Sequence, residues 1–548
     1  MVALLHPGVY VQEVPSGIRS IEGVPTSTTI FVGETERGPL EPTKILSAGD
    51  YARLFGGYLR HSGTGAVRVA MRYETDLFFQ NGGTAAYILR ATSDADATTP
   101  PAENTAVAHP QTGSPAAGRL VAASPGEWGN HVYAIIQVTD PAPPAVGSHF
   151  RIVVYYLAPG GSAPALVEDW DRLSDSPTDP NYVGGVLQRS LYIRWVSAAT
   201  APTAGHTLAS GTVILELKAS EIPATSQFTG AHSDEAVDDD TLNALTLPKL
   251  DGIDDAAIIV GATERWANST TFPEDSGATT TGVRHYYDTI RAYVDRRPKL
   301  DLFFVADLPR FAASTGVTDA KNYVAGTPDA AGINGSTFAA VYWPHLVLGD
   351  PVGPTSTATI TLPPSGAVAG IYAKTDSTRG VFKAPAGVDA TVGAIVGLQR
   401  SVIDSQQDDL NPIGINVVRP IPGAGTVVWG SRTLRPGSEW RYVPVRRMAL
   451  FLRKSIFNGI QFAVFEPNDQ QLWASLRTTI TAFMQAQFRN GAFAGATASV
   501  AYFVKVDNET TTPDDQAAGI VNILVGFAPL RPAEFVVVRL SQKTATNT

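Results

Sequence analysis

The sequence predicts a mixed α/β chain of several domains. Three observations carry that reading. The chain has 548 residues, and length alone suggests about three or four domains. Strand-like and helix-like segments alternate over residues 28–90, and the alternation resumes over 256–305, as in α/β units. Between them, from about Ser93 to about Asp251, the composition shifts to Ala, Pro, Thr, Ser and Asp with isolated apolar runs, which marks a β-rich insertion.

The elements follow in chain order. Val9 to Val14 lies between Pro7-Gly8 and Pro15-Ser16-Gly17. Its β-branched and aromatic residues between two turn signals predict a short strand. Such a strand presents two rows of backbone N–H and C=O groups that need partners. Thr29 to Gly33 reads as a buried strand, and Ser47 and Asp50 as N-caps of a short helix through Phe55. Ala66 to Gln80 carries Val67, Met71, Leu77 and Phe78 on a helical spacing and stops at Asn81-Gly82-Gly83, a C-cap signal. Ala86 to Leu89 is the next strand. Within the insertion, Tyr133 to Val138, Phe150 to Leu157 and Val213 to Leu217 read as strands. Ala256 to Val260 and Leu302 to Val305 are strands around a helix near Arg284 to Arg296, and about 349–366 reads as loop-rich. In the last quarter, Val445 to Asn458 reads as a helix and Gln461 to Phe465 as a strand. A long helix runs from Pro467-Asn468-Asp469 to Asn490-Gly491. The strands Val500 to Val506, Ile520 to Phe527 and Glu534 to Leu540 follow.

Composition excludes several function classes. Hydrophobic residues make up 44% of the chain and charged residues 17%, values typical of a folded protein. A net charge of −10 argues against nucleic acid or an anionic membrane as the main partner. With no cysteine there are no disulfides, thiol nucleophiles or thiolate metal sites. No basic stretch precedes an apolar run at the N-terminus, so no secretory signal is expected, and no apolar run approaches the ~20 residues of a membrane span.

Catalytic motifs are missing as well. The sequence holds no G-x-x-x-x-G-K-[ST], H-E-x-x-H or G-x-S-x-G,. Gly423-Ala424-Gly425 begins like a dinucleotide loop, but the next glycine, Gly430, is wrongly spaced and a turn is the simpler reading. The histidines are scattered, with only His285 and Asp288 close at helical spacing. Asp238-Asp239-Asp240 and Asp251-Gly252-Ile253-Asp254-Asp255 could offer oxygen ligands, yet they lack EF-hand spacing and read as a solvated acidic loop. No catalytic residue, cofactor or metal ligand is assigned, and the chain reads as a non-enzyme. Two rivals remain: an enzyme with its chemistry in the insertion, for which the sequence offers no cluster of His, Asp and Glu, and a surface- or glycan-binding insertion using Trp128 and Trp170 as stacking platforms, against plain core packing of both. One charge cluster remains. Arg432, Arg435, Arg441, Arg446, Arg447, Arg453 and Lys454 are accompanied by a single acid, Glu439. It reads as a solvated helix face or as a contact for an acidic protein surface within or between subunits; a nucleic-acid contact is the third reading, disfavoured by the lack of interleaved aromatics and the negative total.

Taken together, several segments resemble the sheath proteins of contractile tails: phage tail sheaths, R-type pyocins and extracellular contractile injection systems. The likeness lies in HPGVYVQEV at 6–14, TSTTIFVGETERGP at 26–39, SAGDYARLFGG at 47–57, NGGTAAYILR at 81–90 and SPGEWGN at 124–130. It continues in LNPIGINVVRPIPGAGTVVWGSRTL at 410–434, RYVPVRR at 441–447, FEPND at 465–469 and the stretch from GAFAG at 491. The resemblance implies nested α/β domains. Residues 1–19 would be an arm of an inner domain completed by 400–548, and that domain would face a tube. Residues 20–92 and 251–399 would form an outer domain, with 93–250 as a protruding insertion. It further implies that the terminal strands join the sheets of neighbouring subunits. Val9, Val11, Glu13, Phe535, Val537 and Arg539 would then lie on exchanged strands, and Arg446, Arg447, Arg453 and Lys454 would face the tube or a neighbour. The residues alone leave open whether both strands complete their own subunit's sheet. The implied partners are further copies of the chain, an inner tube protein, baseplate and tail-terminator or cap proteins, and sheath paralogues, with no nucleic acid and no membrane span. The implied setting is assembly in the bacterial cytoplasm as part of a phage tail or tail-like particle, including particles released from the cell.

Overall fold

The computed structural model describes residues 20–58, 70–91, 107–110, 118–124, 127–138, 149–159, 161–174, 176–197, 206–208, 242, 246–262, 283–311, 316–327, 330–331, 333–353 and 355–535. These divide into two compact units. The smaller contains 20–24, 379–383 and 444–535, and the larger contains the remainder from 25 to 443.

The larger unit is built on an eight-stranded sheet. Its strands are β1 (Thr29–Gly33), β2 (Thr43–Ile45), β3 (Ala86–Arg90), β11 (Ile258–Ala262), β12 (Phe303–Asp307), β15 (Ala339–Trp343), β19 (Ile415–Ile421) and β20 (Gly425–Val428). Their order is β2-β3-β1-β11-β12-β15-β19-β20. The six inner strands are parallel, and β2 and β20 are antiparallel edges. Every residue of β1, β11, β12 and β15 is buried. That fits their unbroken apolar sequences, because a parallel strand is covered on both faces.

Helices flank this sheet. Ser47 caps α1 (Ala48–Phe55), its hydroxyl accepting from the Asp50 N–H. α2 (Met71–Gln80) buries Met71, Leu77 and Phe78. α4 (Val283–Arg296) turns Tyr287, Ile290 and Val294 into the main core, and α5 spans Gly316–Ala325. In α6 (Ser365–Arg379) the first nine residues are all buried. It can lie this close to α2 because Gly366 and Gly370 lack side chains: a Cβ at Gly366 would come within 2.4 Å of the Glu74 carbonyl oxygen, and one at Gly370 within 2.5 Å of that of Phe78. α7 (Asp404–Leu410) precedes β19.

The segment between β3 and β11 is β-rich, as its composition indicates. It holds β4 (Val107–Pro110), β5 (Gly118–Ala122), β6 (Val132–Val138), β7 (His149–Tyr156), β8 (Ala165–Ser174), β9 (Ile193–Ser197) and β10 (His206–Leu208), with a short helix α3 (Val183–Val186). They form sheets ordered β10-β4-β5-β9 and β6-β7-β8. Trp128, Phe150, Ile152, Val154 and Leu173 share one core.

Three expectations are corrected here. Residues 400–443 fall in the larger unit rather than with 444–535, because β19 is the parallel neighbour of β15 and β20 is its antiparallel edge. The 349–366 stretch is less irregular than it reads: β16 (Leu346–Gly349) pairs with β17 (Thr359–Leu362), and α6 starts at Ser365. Gln461 to Phe465 is not a strand. Gln461–Ala463 is a 3-10 turn, since an apolar run this short between two helices does not distinguish strand from turn.

The smaller unit packs α8 (Val443–Gly459, entering it at Pro444), α9 (Gln470–Arg489) and a hairpin of β21 (Tyr502–Lys505) and β22 (Leu524–Phe527). Asp469 caps α9, its carboxylate accepting from the Leu472 N–H at 2.9 Å, and Trp473 Nε1 donates to Asn468 at 2.8 Å. Ile480, Phe483 and Met484 of α9 meet Met448 and Leu452 of α8 in a shared core. The apolar runs at 500–506 and 520–527 shorten to these two strands, because residues 498–501 form a helical turn and 520–523 are irregular.

Candidate inter-subunit surfaces

The β21–β22 hairpin is incomplete as a sheet. Tyr502 pairs with Phe527, Phe503 with Gly526, Val504 with Val525 and Lys505 with Leu524. Among the described residues no third strand joins either edge. A two-stranded sheet is marginal alone, and two open edges present unpaired backbone donors and acceptors to an incoming strand. Side chains alternate across it. Tyr502 and Val504 turn inward to the helices, whereas Phe503 (48% exposed) and Leu524 (52%) face out. Phe503 lies across Gly526, where a Cβ would come within 2.2 Å of its ring. The outer face therefore sets Phe503 and Leu524 beside the exposed Lys505, and Val500 and Ile520 nearby are exposed too.

The chain just after the N-terminal arm is seated firmly. Ile21 is buried against α8, where a Cβ at Gly459 would meet its Cγ1 at 2.5 Å. Gly23 approaches the Phe451 ring, and the Val24 N–H donates to Ser455 Oγ at 3.1 Å. At the other end, the Ala494 N–H donates to the Ala528 carbonyl at 2.9 Å and Phe493 bridges Pro529. Past this anchor Phe535 stands 76% exposed. Of the residues assigned to exchanged strands, Val9, Val11, Glu13, Val537 and Arg539 lie outside the described residues.

The basic cluster on α8 splits. Arg453 is exposed and Arg446 half-buried, but Arg447 (3%) and Lys454 (8%) are buried and engaged within the chain. The expectation that all four face outward is corrected for these two. They sit seven residues apart on one helical face, where long stems cover apolar surface. Phe457, one turn beyond Arg453, is exposed, as are Val464 and Phe465 in the turn that follows. A basic and apolar stripe therefore faces out at i, i+4 spacing.

At the natural crevice of the larger unit the described side chains are engaged with one another. In an open parallel sheet ligands bind beyond the strand C-termini where strand order reverses, here between β1 and β11. A Cβ at Gly33 would lie 2.0 Å from the Ala262 carbonyl oxygen. The loop after β1 is engaged with the insertion. Arg37 Nη2 donates to the Ala52 and Arg53 carbonyls at the end of α1, at 3.3 and 3.2 Å. Its guanidinium lies 4.6 Å over Tyr192 and 5.4 Å over Tyr156. Glu36 accepts from the Gly57 N–H at 2.6 Å and from the Tyr156 hydroxyl. Burial drives that phenol far above its usual pKa. Trp128 (4% exposed) is edge-on to Tyr156 and Tyr192, and Trp170 donates to Glu168 at 2.9 Å. Trp128 is buried and Trp170 half-buried against the same core, which supports core packing over a stacking platform. Asp254 pairs with Lys299 at 2.5 Å, Asp255 with Lys44 at 2.5 Å and Asp251 with Arg297 at 3.4 Å. That acidic stretch is held by cations. Among the described residues no group of acidic and histidine side chains could hold a metal ion, and no helix is long and apolar enough to cross a membrane.

Comparison with known proteins adds a family. Residues 313–434 match the phage tail sheath protein central domain and residues 435–543 the phage tail sheath C-terminal domain. A tail sheath protein of Vibrio phage KVP40 is 32% identical over 127 residues, 22% of this chain and 19% of that protein. The tail sheath protein of Enterobacteria phage T4 is 28% identical over 156 residues, 28% of this chain and 22% of that one. These alignments span about a fifth of the relatives' length. The fold is shared more widely. A chain of the anti-feeding prophage baseplate superposes with a TM-score of 0.56 at 22% identity, covering 99% of this chain and all of that one. A chain of the contracted sheath complex of the PVC extracellular contractile injection system gives 0.55 at 21%, covering 99% of each.

Proposed function

We propose that this chain, which from residue 313 to 543 carries the central and C-terminal domains of phage tail sheath proteins, is a structural subunit of a contractile sheath. Copies polymerise helically around an inner tube. A trigger from the baseplate lets the lattice pass from an extended to a shorter state and drive the tube through a target envelope. The observation that carries the reading is the open-edged β21–β22 hairpin, in a unit that also holds residues 20–24.

In this reading strands from the arms of neighbouring copies, Val9 to Val14 and the chain beyond Phe535, add to the hairpin edges. Strand addition gains affinity from backbone hydrogen bonds and specificity from alternate side chains. Each bond contributes about 1 kcal/mol net, so several per strand plus burial of Phe503 and Leu524 make a durable join. A head-to-tail join of this kind does not close and propagates as a helix. The joins keep the lattice connected while subunits move, and the work comes from new contacts between subunits. Arg453, Arg446 and Phe457 contact the tube or the next subunit. Partners are the tube protein, baseplate and terminator proteins and sheath paralogues, with assembly in the bacterial cytoplasm before any release of the particle.

The test is electron microscopy of the full chain, alone and with its tube protein, beside a chain lacking residues 1–14. Hollow striated cylinders from the full chain and soluble monomers from the shortened one are expected. Monodisperse full-length monomers at high concentration in both samples would overturn the polymer reading. Normal cylinders from the shortened chain would overturn strand exchange.

A further inference from the structure

Two carboxyl groups meet at the end of the α2–α6 seam where α6 begins, and among the described residues no cation pairs with either. Glu74 on α2 and Asp307 at the end of β12 are both fully buried. Both address the first turn of α6. Glu74 Oε2 accepts from the Gly366 N–H at 2.6 Å and from the Ser365 hydroxyl at 3.2 Å. Asp307 Oδ1 accepts from the Ser365 N–H at 2.8 Å, and its Oδ2 from the Tyr287 phenol at 3.3 Å. Glu74 Oε1 is buried without a hydrogen-bond partner. The close approach of Gly366 to the Glu74 backbone leaves no slack for rearrangement.

The surrounding groups are few. α2 contributes Glu74 and β12 contributes Asp307. From α4 comes Tyr287, whose hydroxyl also donates to the Gly261 carbonyl at 2.5 Å. α6 contributes the Ser365 hydroxyl and two backbone N–H groups. Arg72 and Asp76, the nearest other charges on α2, pair with each other at 3.3 Å. Among the described residues no lysine, arginine or histidine offsets either buried carboxyl. A helix N-terminus carries the equivalent of about half a positive charge. It can offset one carboxylate, not two. Two carboxylates addressing adjacent N–H groups in a dry seam also repel, which keeps a proton on one of them. Burial pushes Asp307 up to about 7. Glu74 is raised well above its usual range, by burial first and then by the Asp307 charge.

We propose that Glu74 and Asp307 act as a proton-dependent latch: while the pair retains one proton it fastens the first turn of α6 to α2, and loss of that proton leaves two negative charges in the seam and frees the turn. The sign follows from linkage. Both groups bind protons more tightly folded than unfolded. Their contribution is complete below the unfolded values of 3.8 and 4.5 and is lost as pH rises through the folded ones, about 7 for Asp307 and upward-shifted for Glu74,.

Amide hydrogen exchange on the full chain tests this, read as protection factors for residues 365–373 from about pH 5 to about pH 9. In the unmodified chain protection is expected to fall by up to about tenfold per pH unit through the transition. Asp307→Asn and Glu74→Gln should each flatten the fall. Flat protection in the unmodified chain, or an unaltered slope in a folded variant, overturns the latch. Should neither variant fold, infrared spectroscopy of the Asp76→Asn chain decides. A protonated-carboxyl band at neutral pH that disappears as protection falls supports the latch, and its absence at neutral pH overturns it.

Discussion

Gly459→Ala probes how the N-terminal arm leaves the body. The added methyl would sit 2.5 Å from Ile21 Cγ1, 2.9 Å from Cγ2 and 3.0 Å from Cβ. These atoms are at the root of a β-branched side chain, so no rotamer change clears them and the 20–24 backbone must lift. Overpacking of this kind costs about 1–3 kcal/mol. Alanine in place of glycine at a helix position returns up to about 1 kcal/mol, but it does so whether or not the segment is seated, so the clash acts on the seat in full. The seat itself rests on Ile21 burial, roughly 1.5–3 kcal/mol, and on the Val24–Ser455 hydrogen bond, about 1 kcal/mol. The clash is smaller than the seat, and at about 1.4 kcal/mol it should make the segment detach about ten times more often while α8 and α9 stay folded. Hydrogen exchange at the Val24 amide, which donates to Ser455 Oγ, reads detachment, and sedimentation reads the polymer. Exchange should accelerate by about that factor and the sedimenting fraction should fall. Adding Ile21→Ala removes the two nearest clashing carbons, so the double variant should be less affected than the sum of the two singles. Strict additivity, or unchanged exchange in Gly459→Ala, would refute the reasoning.

Two further outcomes follow from other contacts. Tyr156→Phe takes a donor from the buried Glu36 carboxylate and should lower the stability of the larger unit by about 1.5–3 kcal/mol. Thermal melts resolve it, and Glu36→Gln in the same background should recover part of the loss. Arg453→Glu changes an exposed helix position; the isolated chain should keep its stability to within about 0.5 kcal/mol, while co-sedimentation with the tube or with further copies should drop.

The large sheet was legible because its strands are buried on both faces. Runs such as IIVGA at 258–262 and FFVAD at 303–307 have no polar alternation to confuse the reading. The caps of α1 and α9 were legible for a local reason: Ser47 and Asp469 act within three residues of themselves. What failed was non-local. Nothing within 415–428 reveals that its pairing partner is β15 rather than a strand nearer the C-terminus, so the boundary at 400 came out too early. The burial of Arg447 and Lys454 depends on which face of α8 is covered, and the helix has apolar residues nearly all round. Glu74 and Asp307 carry no motif, and the 26–39 segment that holds Glu36 and Arg37 does not show what they meet. They become a clamp and a latch only when residues 120 positions apart for Glu36 and Tyr156, and 291 apart for Glu74 and Ser365, meet.

These contacts give the two units different mechanical characters. In the larger unit the insertion is tied to the loop after β1 by a carboxylate, a guanidinium and three aromatic rings, with few polar atoms left to water. Movement there would strand buried charge, which is costly, so strain passing through it should be transmitted rather than absorbed. The smaller unit is the opposite. Among the described residues its hairpin has two open edges and a largely apolar outer face, an arrangement that gains stability when another strand arrives,. Under the proposed strand addition its folding free energy is linked by mass action to assembly. A subunit lattice needs both properties. Joins that complete a sheet hold only if the receiving hairpin prefers occupancy, and a conformational change travels along the polymer only if the bodies between joins do not yield.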